Sequence, residues 1–422
     1  MKLCILSPRF PFPENGGDVL RINNIARYLK SKNFELVLIS FYEDEIRLKK
    51  EYFALYDTIY MIKRKKIVSL AMSLIFALTG RPIQCGYYFS FAFLKQLRRT
   101  IKRELPDEYI SHLLRMTPYL ELTRQQKNSI VEMTDALSKT YALSVKAKGN
   151  IVKKCIYRAE LSLIRRYEKY VAANFPKVVL VSDADIAYLQ KQCSKTPKSL
   201  SVYTNGVEFL PSLPEKYDRN KICFIGNMRT LQNQDAVFHF VQDIFPHIKK
   251  SVPDAMFVII GAEPPEQIQN LADGKNIVVT GFVDDIQSVV SGCCVAVAPV
   301  RVAAGIQNKI LVALGCGVPV VMTPLIARAI PELKDGENCF IKEDENDFGE
   351  KCVYLMQNDE IRSVISKNGY EMVKNQYSWN EKLNGYEIIA KNIRGGVLKH
   401  SNFVSYCHKL PRHAAYSCGW AV

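Results

Sequence analysis

The stretch from Pro299 to Val321 reads PVRVAAGIQNKILVALGCGVPVV, and it indicates how this chain folds. An apolar segment that ends at Ala298 precedes it, as is typical of a buried strand. A loop of small residues follows, and a helical pattern then starts near Gln307. Gly315 and Gly317 end that pattern before the next apolar segment. Strand, glycine loop, helix and strand in this order predict one βαβ unit of a parallel sheet.

The loop in this stretch has the composition of an anion site. Free backbone amides and the helix dipole both favour negative charge where a glycine-containing loop enters a helix. Gly305 lies in the loop, and Arg301 and Lys309 flank it. A pyrophosphate bound there would receive amide hydrogen bonds and the charge of two cations. The alternative is a glycine that only eases helix–sheet packing, with two solvated cations.

The rest of the second half repeats the same alternation. Apolar segments at 222–225, 256–260, 277–280, 295–298 and 318–322 are separated by amphipathic helical patterns. This predicts a parallel, doubly wound sheet whose ligands bind beyond the carboxyl ends of the strands. Arg229 follows the first of these strands and could reach the same pyrophosphate. Gly281 and Phe282 follow the third and could hold a nucleobase, while Asp284 is predicted to cap the next helix.

The chain begins with a second unit of the same kind. Leu3–Leu6 reads as a strand, a loop ending in Gly16 and Gly17 follows, and a helix capped by Asp18 leads to a strand at 34–40. We therefore predict an α/β protein of two Rossmann-like doubly wound domains that face each other across a cleft. Prolines at 211 and 214 place the boundary between residues 1–210 and residues 211–378.

Charge is unevenly distributed along the 422 residues. Residues 1–200 hold 35 Lys and Arg against 18 Asp and Glu, a net charge of +17, whereas the remainder has a net charge of −2. A basic half indicates nucleic acid, anionic lipid or a phosphorylated substrate as partner, or simply a solvated surface. The apolar segment Ile67–Leu78 directly follows Lys63-Arg64-Lys65-Lys66. It predicts either a contact with a membrane surface or a buried core helix, and no segment is long enough to span a bilayer.

The cysteines indicate a reducing environment. Twelve are present without a CxxC pair, which argues against a zinc ribbon and a disulfide framework. We expect a cytoplasmic protein, with a location at the inner face of the membrane as the finer expectation. Residues 394–422 show no periodicity and predict an irregular tail.

Several segments, taken in order, resemble one enzyme family. They are FIGNM at 224–228, VIIGAEPP at 258–265, VTGFVDD at 279–285 and the stretch from Pro299, with RFPFPENGGDVLR at 9–21 and LVSDADIAYL at 180–189. The chain resembles the retaining, glycogen-synthase-like glycosyltransferases of the GT-B fold, and most of all the bacterial members that build surface polysaccharides. The resemblance implies transfer of a hexose from a UDP- or GDP-sugar to a lipid-linked saccharide of lipopolysaccharide or capsule.

The resemblance also implies roles for individual residues. Gly17 faces the donor phosphates, and Arg21 touches donor or acceptor. The transferred sugar and the phosphates are held by Gly305, Ile306, Gln307 and Asn308, with Lys309 as a cation. Asp285 falls in the nucleobase-binding turn. His112 and Asp135 face the reacting carbon as catalytic candidates, Arg115 contacts the acceptor, and residues 379–393, from Trp379, form a helix that crosses back to the first domain.

Two departures from the family pattern stand out. The two glutamates that members carry around the phosphate-binding helix fall at Ala304 and Val312. A valine cannot accept the ribose hydrogen bonds, and the loss of a charged partner costs about 1.5–3 kcal/mol. An Arg and a Lys after the first strand appear as Asn227 and Gln232, with Arg229 as the candidate replacement.

The implied chemistry needs few protein groups. The leaving phosphate takes the acceptor proton, and the protein positions the reactants and stabilises the diphosphate. We expect neither a cofactor nor a metal, because helix amides with Arg and Lys replace a divalent cation. The alternatives are a nucleotide-sugar epimerase on the same fold and a non-catalytic partner subunit, which Val312 favours. No nucleic-acid motif is present, and no GxGxxG of a dehydrogenase follows any strand.

Overall fold

The computed structural model describes residues 1–391, except 15, 44–48, 147–150, 194–196, 198 and 302–306. The predicted tail and the loop residues Gly305 and Ile306 therefore lie outside the described residues. Two separate sheets are present, and every strand pairing in them is parallel. The prediction of two Rossmann-like α/β domains is confirmed.

The first sheet has seven strands in the order β3-β2-β1-β4-β5-β6-β7. They are β1 Lys2–Ser7, β2 Glu35–Tyr42, β3 Thr58–Lys63, β4 Glu108–His112, β5 Ser129–Thr134, β6 Lys177–Leu180 and β7 Leu200–Val202. The helices of this half are α1 Gly17–Ser31, α2 Tyr52–Leu55, α3 Lys66–Leu78, α4 Ile83–Tyr87, α5 Phe91–Glu104, α6 Thr117–Leu122, α7 Leu137–Lys146, α8 Ile151–Asn174 and α9 Asp183–Gln190.

Alternation along β1 shows why this sheet is buried on both faces. Cys4 and Leu6 point into one apolar cluster, which α3 and α5 cover. Leu3 and Ile5 point into the other, which α1 covers. Successive side chains of a strand point to opposite faces, so a continuous apolar strand requires helices on both sides.

The second sheet has six strands in the order β10-β9-β8-β11-β12-β13. They are β8 Asp218–Ile225, β9 Met256–Ile260, β10 Ile277–Gly281, β11 Cys293–Ala298, β12 Val320–Met322 and β13 Phe340–Ile341. The helices are α10 Leu231–His239, α11 Phe245–Ser251, α12 Glu266–Gln269, α13 Ile286–Ser291, α14 Asn308–Gly315, α15 Pro324–Ala327, α16 Glu345–Gln357 and α17 Asp359–Gln376. One continuous apolar cluster forms the core of this half.

Two short helices, α18 Trp379–Lys382 and α19 Tyr386–Lys391, end the described chain. Trp379 and Tyr386 belong to the apolar cluster around α1, in the first half of the chain. The backbone N–H of Val207 donates to the carbonyl of Tyr377 at 2.8 Å, so the two segments that connect the halves lie side by side. These helices therefore pack on the first domain.

Two local predictions were wrong. Asp18 does not cap α1: Gly16 is the capping residue, at φ 125°, while the carboxylate of Asp18 pairs with Arg9. Asp285, not Asp284, caps α13, because its side chain accepts a hydrogen bond from the backbone N–H of Ser288 at 3.0 Å. The first helix begins two residues before the predicted position, and the second begins one residue after it.

Candidate active site

The carboxyl edge of the first sheet gathers several of the predicted residues. Because all its strands are parallel, the segments that follow β1, β4 and β5 leave from the same edge. Gly17 begins α1, and no atom lies within 4 Å of the position that a Cβ there would occupy. The first turn of α1 thus has open space beside it, as a site for donor phosphates requires.

His112 is the last residue of β4, and its side chain is buried. Neither ring nitrogen has a hydrogen-bond partner among the described residues. Burial lowers the pKa of His112 to about 3, and the charges of Arg21 and Arg115 act in the same direction. The imidazole is therefore neutral at physiological pH, so it can hydrogen-bond to a substrate hydroxyl but does not supply positive charge.

Asp135 follows β5 and is exposed to solvent. Partial loss of hydration beside the surrounding protein raises the pKa of Asp135, and the negative charge of Asp185 raises it further. Close by, the backbone N–H of Ser138, in the first turn of α7, donates to Glu168 at 3.0 Å. Burial raises the pKa of Glu168 to about 7. This second carboxyl group was not predicted, because Glu168 lies 33 positions away from Asp135 in the middle of α8.

Arg115 shares an aromatic ring with Arg64, which belongs to the basic cluster before α3. The guanidinium carbons of Arg115 and Arg64 both lie 5.0 Å from the centroid of the Tyr88 ring. Arg64 also pairs with Glu43, whereas Arg115 has no carboxylate within 4 Å among the residues with described positions. Arg115 is thus a half-buried cation beside an aromatic ring, which suits an acceptor that carries a sugar or an anionic group.

Arg21 lies in a buried network of hydrogen bonds. Its side chain is 0% exposed, and its Nε donates to Glu132 Oε1 at 2.7 Å. Its Nη1 donates to Asn205 Oδ1 at 2.8 Å, and the hydroxyl of Tyr386 donates to the other oxygen of Glu132. A guanidinium that is fully buried in such a network holds α1, β5 and α19 together. Its Nη2 has no hydrogen-bond partner among the described residues, so the predicted contact with donor or acceptor stays a prediction beside this structural role.

The triplet Asp183-Ala184-Asp185 has the DxD form of metal-binding motifs. Asp185 accepts a hydrogen bond from Lys139 Nζ at 2.9 Å and from Ser182 Oγ at 2.6 Å. These contacts use the carboxylate to close the first turn of α9. Nowhere in the described ranges do three or more His, Cys, Asp or Glu side chains form a group that could hold a metal ion.

Lys309 is the central cation at the carboxyl edge of the second sheet. It lies in the first turn of α14, where Nζ donates to Asn233 Oδ1 at 2.6 Å and lies 4.4 Å from the centroid of the Phe224 ring. Burial lowers the pKa of Lys309 to about 8. No carboxylate among the described residues lies within 4 Å of its Nζ. A partly desolvated ammonium without a counter-ion is the feature expected of an anion site.

Close backbone packing fixes the partner of Lys309. A Cβ on Gly226 would lie 2.7 Å from Asn233 Nδ2, and that nitrogen donates to the carbonyl of Asn227 at 2.9 Å. A Cβ on Gly261 would lie 1.7 Å from the carbonyl oxygen of Gly226. The ends of β8 and β9 therefore require glycine, and this close approach orients Asn233 towards Lys309.

The two predicted arginines of this edge are paired with carboxylates. Arg301 donates to both oxygens of Asp235, at 2.5 and 3.1 Å, and Arg229 pairs with Glu263. Both arginines are more than half exposed. To bind a diphosphate, the two arginines must leave their carboxylates or contact both groups at once. Their predicted roles therefore stay predictions.

The turn predicted to bind the nucleobase follows β10, and its role stays a prediction. Gly281 ends β10 at φ 67°, a conformation that favours glycine. Phe282 is 60% exposed and offers a ring face for stacking. Asp285 is occupied as a helix cap by its side chain, which leaves backbone groups for base recognition. At the start of α14, Asn308 is exposed and Gln307 is half-buried.

Comparisons with known proteins agree with this arrangement. Residues 219–358 match the family model described as glycosyl transferases group 1. The "uncharacterized 44.6 kDa protein in cps region" of Klebsiella pneumoniae is 22% identical over 391 residues, which cover 89% of this chain and 96% of that relative. The capsular polysaccharide biosynthesis glycosyltransferase CapM of Staphylococcus aureus is 26% identical over 212 residues, 46% of this chain and 55% of CapM.

Among solved structures, HepE of Anabaena in complex with UDP has the same fold. The TM-score is 0.58 at 13% sequence identity, over 92% of this chain and 100% of HepE. Two parallel sheets in two successive domains, with the family match confined to the second, are the arrangement of GT-B enzymes. Residues 219–358 therefore match a group 1 glycosyl transferase domain, and the chain as a whole has the GT-B fold.

Proposed function

We propose that this protein transfers a hexose from a nucleoside-diphosphate sugar to a growing, lipid-linked surface polysaccharide, with retention at the anomeric carbon. Lys309 carries the proposal: it is a partly desolvated cation beside Asn233, without a carboxylate partner among the described residues. HepE binds UDP and UDP-glucose, which supports a UDP-sugar as donor. The Klebsiella and Staphylococcus relatives support a polysaccharide of the capsule type.

In this proposal the diphosphate lies against the first amides of α14, with Lys309 at its oxygens. Negative charge grows on the diphosphate as the bond to the sugar breaks, so a cation and amides that are already in place lower the barrier. The exposed ring of Phe282 stacks on the base. The loop that includes Gly305 and Ile306 completes the sugar site together with Gln307 and Asn308.

The acceptor occupies the carboxyl edge of the first sheet. Arg115 and the Tyr88 ring bind it, and neutral His112 hydrogen-bonds to the sugar that is transferred. The acceptor hydroxyl attacks the anomeric carbon, the bond to the diphosphate breaks, and the departing phosphate oxygen takes the proton. Asp135 stands near this edge as a positioning or charge-stabilising group. No further acid or base is needed for the balance of this step.

A two-part assay tests the proposal. Thermal shift against UDP, GDP and their sugars should show stabilisation by one base series, and mass spectrometry should detect hexose transfer to a lipid-linked or soluble saccharide acceptor. Conversion of the donor without an acceptor would indicate an epimerase. If no nucleotide stabilised the protein, the non-catalytic partner role, which Val312 favours, would replace the proposed activity.

Val312→Glu is expected to strengthen nucleotide binding. Val312 lies three residues after Lys309 on α14 and is partly buried, so a glutamate there lies on the same helix face. Hydrogen bonds from the ribose hydroxyls to a carboxylate are worth about 1.5–3 kcal/mol, or roughly 10- to 150-fold in Kd. Calorimetric titration with UDP measures this gain.

The matched control for Val312→Glu is 2′,3′-dideoxy-UDP, which lacks both ribose hydroxyls. The gain should vanish with this ligand. An equal gain with both ligands, or a gain with neither, would contradict the placement of the ribose beside residue 312.

A further inference from the structure

Helix α3, Lys66–Leu78, buries Met72 and Phe76 and is also apolar on its outward face. Its inward face includes two serines, Ser69 and Ser73, and the hydroxyl of Ser73 donates to the carbonyl of Ser69 at 2.8 Å. The outward face is apolar, with exposed fractions of 84% for Ile67, 65% for Leu70, 62% for Leu74 and 79% for Leu78. A surface helix of a water-soluble protein instead carries polar residues on its outward face.

A neighbouring ring extends this surface. Phe91, at the start of α5, is also exposed, and its ring centroid lies 5.5 Å from that of Phe89. The Phe89 ring lies 5.3 Å from that of Phe76, which faces inward from α3. Phe91 therefore adjoins α3. We call the exposed side chains of Ile67, Leu70, Leu74, Ile75, Leu78 and Phe91 the α3 face.

The charges near the α3 face have one sign. The 46 residues from Thr58 to Arg103 contain ten Lys and Arg and no Asp or Glu. Lys63, Lys65 and Lys66 are exposed directly before α3 and have no carboxylate within 4 Å among the described residues. On α5, which packs against the same side of the sheet, Lys95, Arg98 and Arg99 are exposed as well.

We infer that the α3 face and its flanking lysines dock this protein on an anionic lipid bilayer. Apolar side chains that lie in the interface, with cations at the level of the headgroups, are the two contributions that hold an interfacial helix. Within the described residues no helix is long and apolar enough to cross a bilayer. The docked helix lies along the surface.

Charge distinguishes the bilayer from a second copy of the chain. A second copy seated on the α3 face would offer Lys63, Lys65 and Lys66 no balancing charge from its own copy of this surface, because no acidic residue lies between Thr58 and Arg103. Anionic headgroups supply that balance. The same bilayer buries the leucines.

The position of the α3 face fits the proposed function. Membrane docking itself does not depend on that function, but the purpose of docking does. Arg64, two residues before α3, shares the Tyr88 ring with Arg115. Arg64 therefore links the docking helix directly to the candidate acceptor site at Arg115 and Tyr88. A protein docked through α3 would hold Arg115 close to the headgroup layer, where a lipid-linked acceptor presents its saccharide.

Co-sedimentation of the full-length protein with vesicles tests the inference, without any nucleotide sugar present. Binding should occur with vesicles of phosphatidylcholine and phosphatidylglycerol, and should fall at least tenfold with phosphatidylcholine alone or in 1 M KCl, where charge is screened. The double variant Leu70→Glu, Leu74→Glu should also lose at least tenfold. Leu105→Glu, an equally exposed leucine at the other end of α5, should bind as the wild type does.

Three outcomes would overturn the inference. The wild type fails to bind anionic vesicles, the Leu70 and Leu105 variants bind equally well, or sedimentation velocity shows a wild-type dimer that the Leu70→Glu, Leu74→Glu variant dissolves. A melting temperature within a few degrees of the wild type for both variants confirms that they fold. Because the assay contains no donor, failure of hexose transfer leaves its result unaffected.

Discussion

Lys309→Ala is expected to remove most of the nucleotide affinity and leave the fold intact. A charge-assisted bond to a diphosphate is worth about 1.5–3 kcal/mol, so Kd for UDP should rise roughly 10- to 150-fold. Calorimetric titration measures this change. Lys334→Ala, which removes an exposed lysine of the same domain, is the matched control and should leave Kd unchanged.

The titration of Lys309 separates a binding role from a structural one. Its pKa is about 8 in the folded protein, below the ordinary lysine value of 10.5, so the unfolded chain binds this proton more tightly. Below pH 8 the ammonium therefore lowers stability, and this loss fades as the pH rises from about 8 to 10.5. A structural cation paired with a carboxylate would have a raised pKa and the opposite slope.

Urea unfolding of the wild type and of Lys309→Met checks that sign. The free energy of unfolding of the wild type should increase relative to the variant between pH 8 and pH 10. If the difference fell over that range, or if UDP bound Lys309→Ala with unchanged affinity, the proposed diphosphate site would be wrong.

Arg21→Ala is expected to have the largest effect on stability. It leaves the carboxylate of Glu132 buried without its guanidinium, and removal of one partner of a buried pair costs about 3–5 kcal/mol. For a domain of this size the melting temperature should fall by roughly 6–20 °C. Differential scanning calorimetry measures the shift. Arg27→Ala on the exposed side of the same helix should shift it by at most a few degrees.

The double variant Arg21→Met, Glu132→Leu tests the cause of that loss. Replacing both partners removes the unpaired charge, so much of the stability should return. If Arg21→Ala left the melting temperature unchanged and instead weakened only acceptor binding, Arg21 would be a ligand residue and the expected structural role would be wrong.

The sequence predicted those features of the site that depend on neighbours in the chain. The glycine loops, the strands that end at Ile225 and Ala298, and the helix start that carries Lys309 all follow from local pattern. The two-domain fold could be predicted because short apolar strands alternate with amphipathic helices over the whole second half.

Features that depend on distant partners could not be predicted. Arg21 and Glu132 lie 111 positions apart, and no local pattern shows that they meet in the interior. The pairing of Lys309 with Asn233 needs the contact between Gly226 and Asn233. The apolar sequence of α3 is equally compatible with a membrane-surface helix and with a buried helix. Only the structure shows that its serines point inward and its leucines point to solvent.

The packing of α18 and α19 has a consequence for synthesis on the ribosome. Trp379, Leu383 and Tyr386 complete the apolar cluster that begins with Leu3 and Ile5. One apolar cluster of the first domain is therefore incomplete until these residues emerge from the exit tunnel, almost 400 codons after the first strand. The cluster of the second domain is built from residues 207–377 and is completed at nearly the same point of synthesis. The nascent first domain therefore lacks these side chains of one apolar cluster until translation is nearly finished.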